Sequence, residues 1–385
     1  MGGNSKITLE MARELCRRYD IHIIVPEGKV KTIENNLPEC LDKIQVHVIK
    51  QYHGREKYEL LRASRHYLRV IKPILSKLKA GPDDWLFSCS DFHCDAYPGY
   101  TLQKLFGYRW LPSAFLFVPS IVENLLKGYK FPPILYLAAW CYARVFLYFA
   151  TKRASAFVVT NKSDFRHFPR RFNGRLFDFY GGVNVDQIPT EPQPKTRDVV
   201  FCSRLHPQKG IDAFLDTWAL VHANEPALRL TVIGNGEPAY ERYLKDKAKR
   251  LGLADSIDWL GYVNNEAKFK IYAASRLFVH PTVFDNNGMV AAEALCTGLP
   301  VIMQDLPALR DVYTTGCLKV PFGDRQAFAE AIVRLLTDKA AYTAVAPTPA
   351  QVAELRARWN WATRVADFDA WLKSLPTEAA DKATP

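Results

Sequence analysis

What this chain lacks narrows its class before any motif does. Its eight cysteines show none of the paired spacings of a disulfide framework, and no secretory leader is evident. A reducing, cytoplasmic setting is therefore expected. Cys89, His93 and Cys94 lie close together in CSDFHC, but no second pair completes a tetrahedron, so no metal and no cofactor are expected. Repeats and low-complexity tracts are missing too, apart from the tail from Pro376, which reads as a disordered end. The longest apolar run, Ile134 to Ala150, is 17 residues and is broken by Arg144. That is short of the roughly 20 residues a membrane-spanning helix needs.

Negative charge is scarce in one half only. Through residue 190 there are 28 Lys and Arg against 17 Asp and Glu; the remainder has 23 of each. The whole net charge of +11 thus sits in the first half. That half is expected to meet something anionic. With 48% hydrophobic and 24% charged residues the chain is globular, and 385 residues suffice for two domains with real cores.

Periodicity gives the organisation. A helix over 5–18 is followed by a strand at 21–25, and short apolar runs recur at 44–49, 85–90, 113–118 and 156–160 with helical patterns between them. That alternation predicts an α/β fold with a mostly parallel sheet. A Pro-rich stretch, 188–198, reads as a linker. The pattern then restarts more regularly: strands at 199–203, 228–234, 257–261, 276–280 and 301–303 alternate with helices at 210–223, 238–251, 265–274 and 289–297. Two Rossmann-like, doubly wound domains facing a cleft are expected, one over 1–190 and one over 191–360. A helix over 361–375 would cross the junction, and 376–385 would be the tail. The opening MGGNSK is a glycine loop with no strand before it, so either the first sheet lacks a strand or the chain is truncated there.

Three stretches of the second domain invite chemistry. After the strand ending at Ser203 come Arg204 and then Lys209-Gly210 at a helix start. Two cations and the positive end of a helix suit a diphosphate, although two solvated surface cations remain the plain alternative. The turn Gly234-Asn235-Gly236 lacks the third glycine of a dinucleotide-binding loop and reads first as structure. The third stretch is VFDNNGMVAAEALCTGLP, 283–300. It sets Asp285 in a loop with Asn286, Asn287 and Gly288, and puts Glu293 among alanines and leucines. A charge in such a helix costs several kcal/mol unless paired, on the order of the usual penalty for a buried ion. A ribose is one partner the carboxylate could take; a half-exposed helix acid with Asp285 as a cap is the other reading.

Over 198–340 the sequence resembles the retaining glycosyltransferases of the GT-B fold, in the large family numbered four, which includes bacterial sugar and mannosyl transferases. Arg204 with Lys209-Gly210, VIGNGE, IDWLGYVNNEAKFKIYAASRLFVHPT and DNNGMVAAEALCTGLPVI carry the resemblance. The first half, through Gly2-Gly3 and GGVNVDQIP, resembles it more loosely. The resemblance implies that Arg204 and Lys209 bind the donor diphosphate and that Glu293 binds the nucleotide ribose. It implies that Asp285 contacts the transferred sugar, with Gly234 and the backbone of Asn287, Gly288, Met289 and Val290 nearby. Gly2 and Gly3 would approach the phosphates from the other domain. Two departures stand out. The family's first acid is usually Glu, whereas Asp285 is shorter. The histidine that often follows the fifth strand is missing from AFLFVPS, which leaves His93 as the nearest candidate.

The implied reaction is metal-independent hexosyl transfer from a UDP- or GDP-sugar with retained configuration, completed by domain closure. The basic half points to the acceptor. Arg62, Arg65, Arg69 and Lys72 span about 80° of a helix at 100° per residue, beside an apolar stripe of Leu61, Leu68, Ile71 and Leu75. The run over 131–153, flanked by Lys127, Lys130, Lys152 and Arg153, reads as interfacial. The expected partners are a nucleotide sugar, a lipid-linked or glycan acceptor and an anionic membrane surface, with the protein peripheral on the inner face and active in cell-envelope polysaccharide synthesis. No nucleic-acid motif is present. A sugar-nucleotide epimerase of the same fold, a non-catalytic nucleotide-sugar-binding subunit and a membrane scaffold stay as alternatives.

Overall fold

A computed structural model describes residues 3–54, 59–81, 83–115, 117 and 133–376. Gly2, Lys127, Lys130 and the tail from residue 377 lie outside the described residues. The chain divides into two units: Met1–Gly181 with Arg364–Pro385, and Gly182–Thr363.

In the first unit Ile21–Pro26 (β1) and Ile44–Ile49 (β2) pair in parallel, Ile21 against Ile44. Trp85–Ser88 (β3), Arg109–Ala114 (β4), Phe157–Val159 (β5) and Leu176–Asp178 (β6) form a second parallel sheet in that order. Helices Gly3–Leu15, Leu60–Leu78, His93–Phe106 and Pro133–Ala150 accompany them. Gly3 is helical and so is not in a glycine loop.

β4 begins four residues before the apolar run that marks it in the sequence. Pro112 disguises it: proline has no N–H to give a ladder and is rare in a central strand. Trp110 anchors the strand instead. Its ring is fully buried and its Nε1 donates to Ser88 Oγ at 3.0 Å, while Ser113 Oγ donates to the Ser88 carbonyl at 2.8 Å.

Helix Leu60–Leu78 buries Ala63, Tyr67 and Leu75 and packs Val70, Ile71 and Ile74 beside them. That face centres about 120° from Leu61 at 100° per residue, which corrects the expected apolar stripe: Leu61 is 72% exposed and stands beside the basic residues. Arg62, Arg65, Arg69 and Lys72 are all exposed.

From residue 364 the helix Trp361–Ser374 belongs to the first unit. Phe368 meets Phe177 and Phe179 edge-on at 5.4 and 6.0 Å. Arg18 pairs with Asp369 at 2.8 Å, and Arg364 donates to the Asp178 carbonyl at 2.7 Å.

The second unit is one six-stranded parallel sheet. Its strands are Arg197–Cys202 (β7), Leu230–Ile233 (β8), Ile257–Gly261 (β9), Ser275–His280 (β10), Val301–Gln304 (β11) and Cys317–Val320 (β12), in the order β12-β11-β10-β7-β8-β9. The middles of the inner strands, such as Val199-Val200-Phe201 and Leu277-Phe278-Val279, are apolar and buried because the sheet is covered on both faces there. Val199, Leu230, Leu277, Val279 and Ile302 are sealed in the core with Ile211, Phe214 and Trp218 of helix Ile211–Asn224. Each such side chain contributes about 1.5–3 kcal/mol by burial. Residues 182–188 lie in this unit, ahead of the Pro-rich stretch, because Val183 N donates to the Trp359 carbonyl at 2.7 Å.

Candidate functional site

The sheet order marks a place for chemistry. From β7 the chain winds outward through β8 and β9, and from β10 it winds the other way through β11 and β12. The loops leaving the carboxyl ends of β7 and β10 therefore part company, and that is where a doubly wound sheet has its crevice.

Those two loops, 203–210 and 281–288, are knitted together. Val283 N donates to the Gln208 carbonyl at 3.0 Å, and Gln208 Nε2 donates to the Phe284 carbonyl at 2.9 Å. Gly210 allows the approach: at φ 73° a Cβ there would lie 1.9 Å from the Pro281 carbonyl oxygen. No other residue type fits such a contact.

The first result of this knitting is an ion pair. Lys209 Nζ reaches Asp285 Oδ2 at 2.5 Å, and both side chains are largely buried. Asp285 Oδ1 accepts the N–H groups of Asn287 and Gly288 at 3.1 Å each. Burial pushes the Asp285 carboxyl up, but Lys209, His280 and the N–H donors outweigh it and hold it at about 2. His280, at the end of β10, has Nε2 3.7 Å from Asp285 Oδ2. Its own burial drives it down to about 4 against the pull of Asp285, with Lys209 adding to the fall. His280 is therefore neutral at physiological pH and is not half of an ion pair.

Gly288, at φ 62°, turns the chain into helix Met289–Cys296. The buried Tyr313 hydroxyl lies 2.7 and 2.8 Å from the carbonyls of Asn287 and Gly288 and fixes this corner by donating to them. Met289 and Val290 form the first turn, whose N–H groups have no intrahelical acceptor and face outward as the positive end of the helix.

Glu293 lies one turn further in and is 3% exposed. It holds a lysine. Lys268, itself 8% exposed, places Nζ 2.7 Å from Glu293 Oε2. Cys202, at the end of β7, sits between their fields. Burial pushes its thiol up to about 11, with Lys268 lowering and Glu293 raising it. The pair thus borders the same crevice. The sequence reading missed Lys268, because a lysine in a helix ordinarily points to water; its one signal was its place four residues before the buried Tyr272, on that residue's face.

Arg204 is exposed. It and Lys209 are near enough to reinforce the lowering of His206, which burial begins. His206 Nδ1 accepts the Gln208 N–H at 3.2 Å. Gly234, at φ 128°, abuts the Ser203 carbonyl and donates its N–H to Gly261 at 2.7 Å, so the glycine turn lies alongside the Arg204 loop. Arg204, Lys209, Gly234, Asp285, Asn287, Gly288, Met289, Val290 and Glu293 thus gather at the carboxyl edge of one sheet.

Gly3, His93 and the basic stripe belong to the first unit. His93 opens helix His93–Phe106 just after β3. Beside it, burial pushes the Asp91 carboxyl up to about 6, with Asp95 adding to the shift. Tyr142 donates to the Asp91 carbonyl at 2.9 Å. The sequence reading passed over Asp91. Among the described residues no group of three His, Cys, Asp or Glu side chains could hold a metal ion, and no helix is long and apolar enough to cross a membrane.

Residues 196–338 match the family described as Glycosyl transferases group 1. Over 164 residues the chain is 33% identical to a phosphatidyl-myo-inositol mannosyltransferase of Mycobacterium leprae, covering 40% of this chain and 42% of that one. Over 153 residues it is 29% identical to the lipopolysaccharide core biosynthesis mannosyltransferase LpsB of Rhizobium meliloti, covering 38% and 43%. The chain thus spans less than half the length of these relatives. Among solved structures, HepE of Anabaena in complex with UDP superposes with a TM-score of 0.73 at 18% identity, covering 97% of each chain. Sucrose-phosphate synthase of Thermosynechococcus elongatus gives 0.72 at 17%, covering 92% of this chain and 99% of that one. Residues 196–338 of this protein are accordingly similar to the glycosyl transferases group 1 family, and the fold is GT-B.

Proposed function

We propose that the protein is a glycosyltransferase that moves a hexose from a UDP- or GDP-sugar to a lipid-linked or glycan acceptor, with retained configuration and without a metal. The observation that carries this reading is the meeting of Lys209, Asp285 and the first turn of helix Met289–Cys296 at the point where the sheet order reverses. The activities of the M. leprae and R. meliloti relatives support the sugar and acceptor classes, and the UDP complex of HepE supports the donor.

The residues divide the work as follows. Lys209, the exposed Arg204 and the helix N-terminus receive the donor diphosphate. Glu293 receives the ribose hydroxyls. Asp285 holds Lys209 in place and borders the transferred sugar. As the C1–oxygen bond to the diphosphate breaks, negative charge gathers on the leaving group, and fixed cations contribute most at that moment. The acceptor oxygen bonds to C1 on the same face, and its proton passes to the leaving phosphate oxygen. The acceptor side belongs to the basic first unit. There, exposed Leu137, Val145, Tyr148 and Phe149 and the stripe of Arg62, Arg65, Arg69 and Lys72 offer an anionic membrane surface both apolar and cationic contacts.

Thermal stabilisation by UDP, GDP and ADP, followed by incubation of the matching sugars with lipid extract, tests the reading. Labelled sugar should enter the lipid fraction with the wild type and not with Lys209→Ala or Glu293→Gln. Sugar isomers formed without any acceptor would identify an epimerase instead, and binding without turnover a non-catalytic subunit.

A further inference from the structure

We propose that Lys268 is the positioning residue that keeps the Glu293 carboxylate charged and aimed at the ribose hydroxyls of the nucleotide. The inference rests on reading the crevice as a nucleoside-diphosphate site, and it concerns a residue that touches no substrate.

Lysine is among the residues least often buried, and a buried one without a partner gives up its charge. Lys268 stays at 8% exposure because its ammonium is held from two sides. Glu293 Oε2 lies at 2.7 Å, and Asn265 Oδ1, one turn back on its own helix Asn265–Ala273, lies at 3.1 Å. That helix is itself fixed by Asn264, whose side chain accepts the Ala267 N–H. The ammonium is therefore a fixed object, set by a capped helix, against which Glu293 is oriented.

Glu293 needs such an object. Burial favours the protonated form of a carboxyl. A protonated acid has lost much of its power to accept from two neighbouring hydroxyls, whereas a carboxylate offers about four acceptor directions over two oxygens. Bonds to a charged acceptor are roughly twice as strong as neutral ones. A purely structural ion pair would behave otherwise, since such pairs are often replaceable by apolar side chains of similar volume.

Titration calorimetry on the full chain separates the two roles. The probes are UDP, GDP and ADP, their 2′,3′-dideoxy forms, and inorganic pyrophosphate. Lys268→Met should weaken the best-bound nucleoside diphosphate by about tenfold or more. It should leave pyrophosphate and the dideoxy forms within about twofold. Lys268→Arg should restore most of the affinity. The double variant Lys268→Met/Glu293→Gln buries no unpaired charge and should bind as Glu293→Gln does, so it carries the test if Lys268→Met does not fold. Equal losses for pyrophosphate and nucleotide, unchanged nucleotide affinity in Lys268→Met, or a further tenfold loss in the double variant would each overturn the inference. A wild type that binds no nucleoside diphosphate at all would overturn the reading of the crevice itself, and this inference with it.

Discussion

Lys209 and Asp285 each serve two ends, joining the loops that follow β7 and β10 while presenting charge to the crevice. Lys209→Ala should therefore cost stability as well as nucleotide binding. It strands a largely buried carboxylate, worth about 3–5 kcal/mol for a broken buried pair. Urea unfolding should show that loss, and Lys209→Ala/Asp285→Asn should recover part of it. Full stability in the single variant would mean that the pair does not hold the loops.

His280 gives a prediction in pH. Its folded value of about 4 lies below the ordinary imidazole value of 6.5, so the unfolded chain takes up the proton first. Stability should fall as pH drops from about 6.5 towards 4, by about 3 kcal/mol at 1.36 kcal/mol per unit. His280→Asn should flatten that segment of the pH–stability curve; an identical slope in the variant would remove His280 as its source. At Gly288 an added Cβ would meet His280 Nε2 at 3.2 Å in a left-handed backbone. Gly288→Ala should lower the unfolding midpoint by the equivalent of about 1–2 kcal/mol.

At the scale of the elements, the helix Leu60–Leu78 is divided lengthwise, with Tyr67 and Leu75 packed inward and Arg65, Arg69 and Lys72 outward. Each cation near an anionic bilayer contributes about 1 kcal/mol. Arg65→Glu/Arg69→Glu should thus weaken sedimentation with phosphatidylserine-containing vesicles by about tenfold or more, and wild-type binding should fade with salt. Equal sedimentation of both proteins would rule out this face. The basic stripe was legible in the sequence because spacing alone defines a helical face. Leu61 was not, because spacing cannot say where the packed neighbours end. The regular alternation of the second unit was equally plain in strands such as Ser275–His280, whose centre Leu277-Phe278-Val279 is apolar and buried. β4 was hidden by Pro112, and β6 by being three residues long. The crevice shows the same division. Lys209, Asp285 and Glu293 stand out as charges beside glycines or within an apolar run. Lys268 does not, because its partner lies 25 residues along the chain and only the folded helices bring the two together.

At the scale of the whole molecule, all of the excess positive charge belongs to residues 1–190, while the candidate donor crevice belongs to the unit formed by Gly182–Thr363. Salt should therefore act on the two functions unequally. Raising ionic strength from about 0.05 to 0.5 M should abolish vesicle binding by exposed cations while leaving nucleotide affinity, set largely by buried groups, within a few-fold. A parallel loss of both would show that one surface serves both purposes. The same division of the chain orders its biogenesis. The second unit is contiguous, but the first is closed by Arg364, Phe368 and Asp369, which pack on Asp178, Phe177 and Arg18, all ahead of the second unit in the chain. The first unit therefore stays incomplete until the residues beyond Thr363 have been made, after the whole of the second. Stalled or clipped chains that stop short of residue 364 would accordingly keep an ordered second unit beside an open first one, a ready target for proteases.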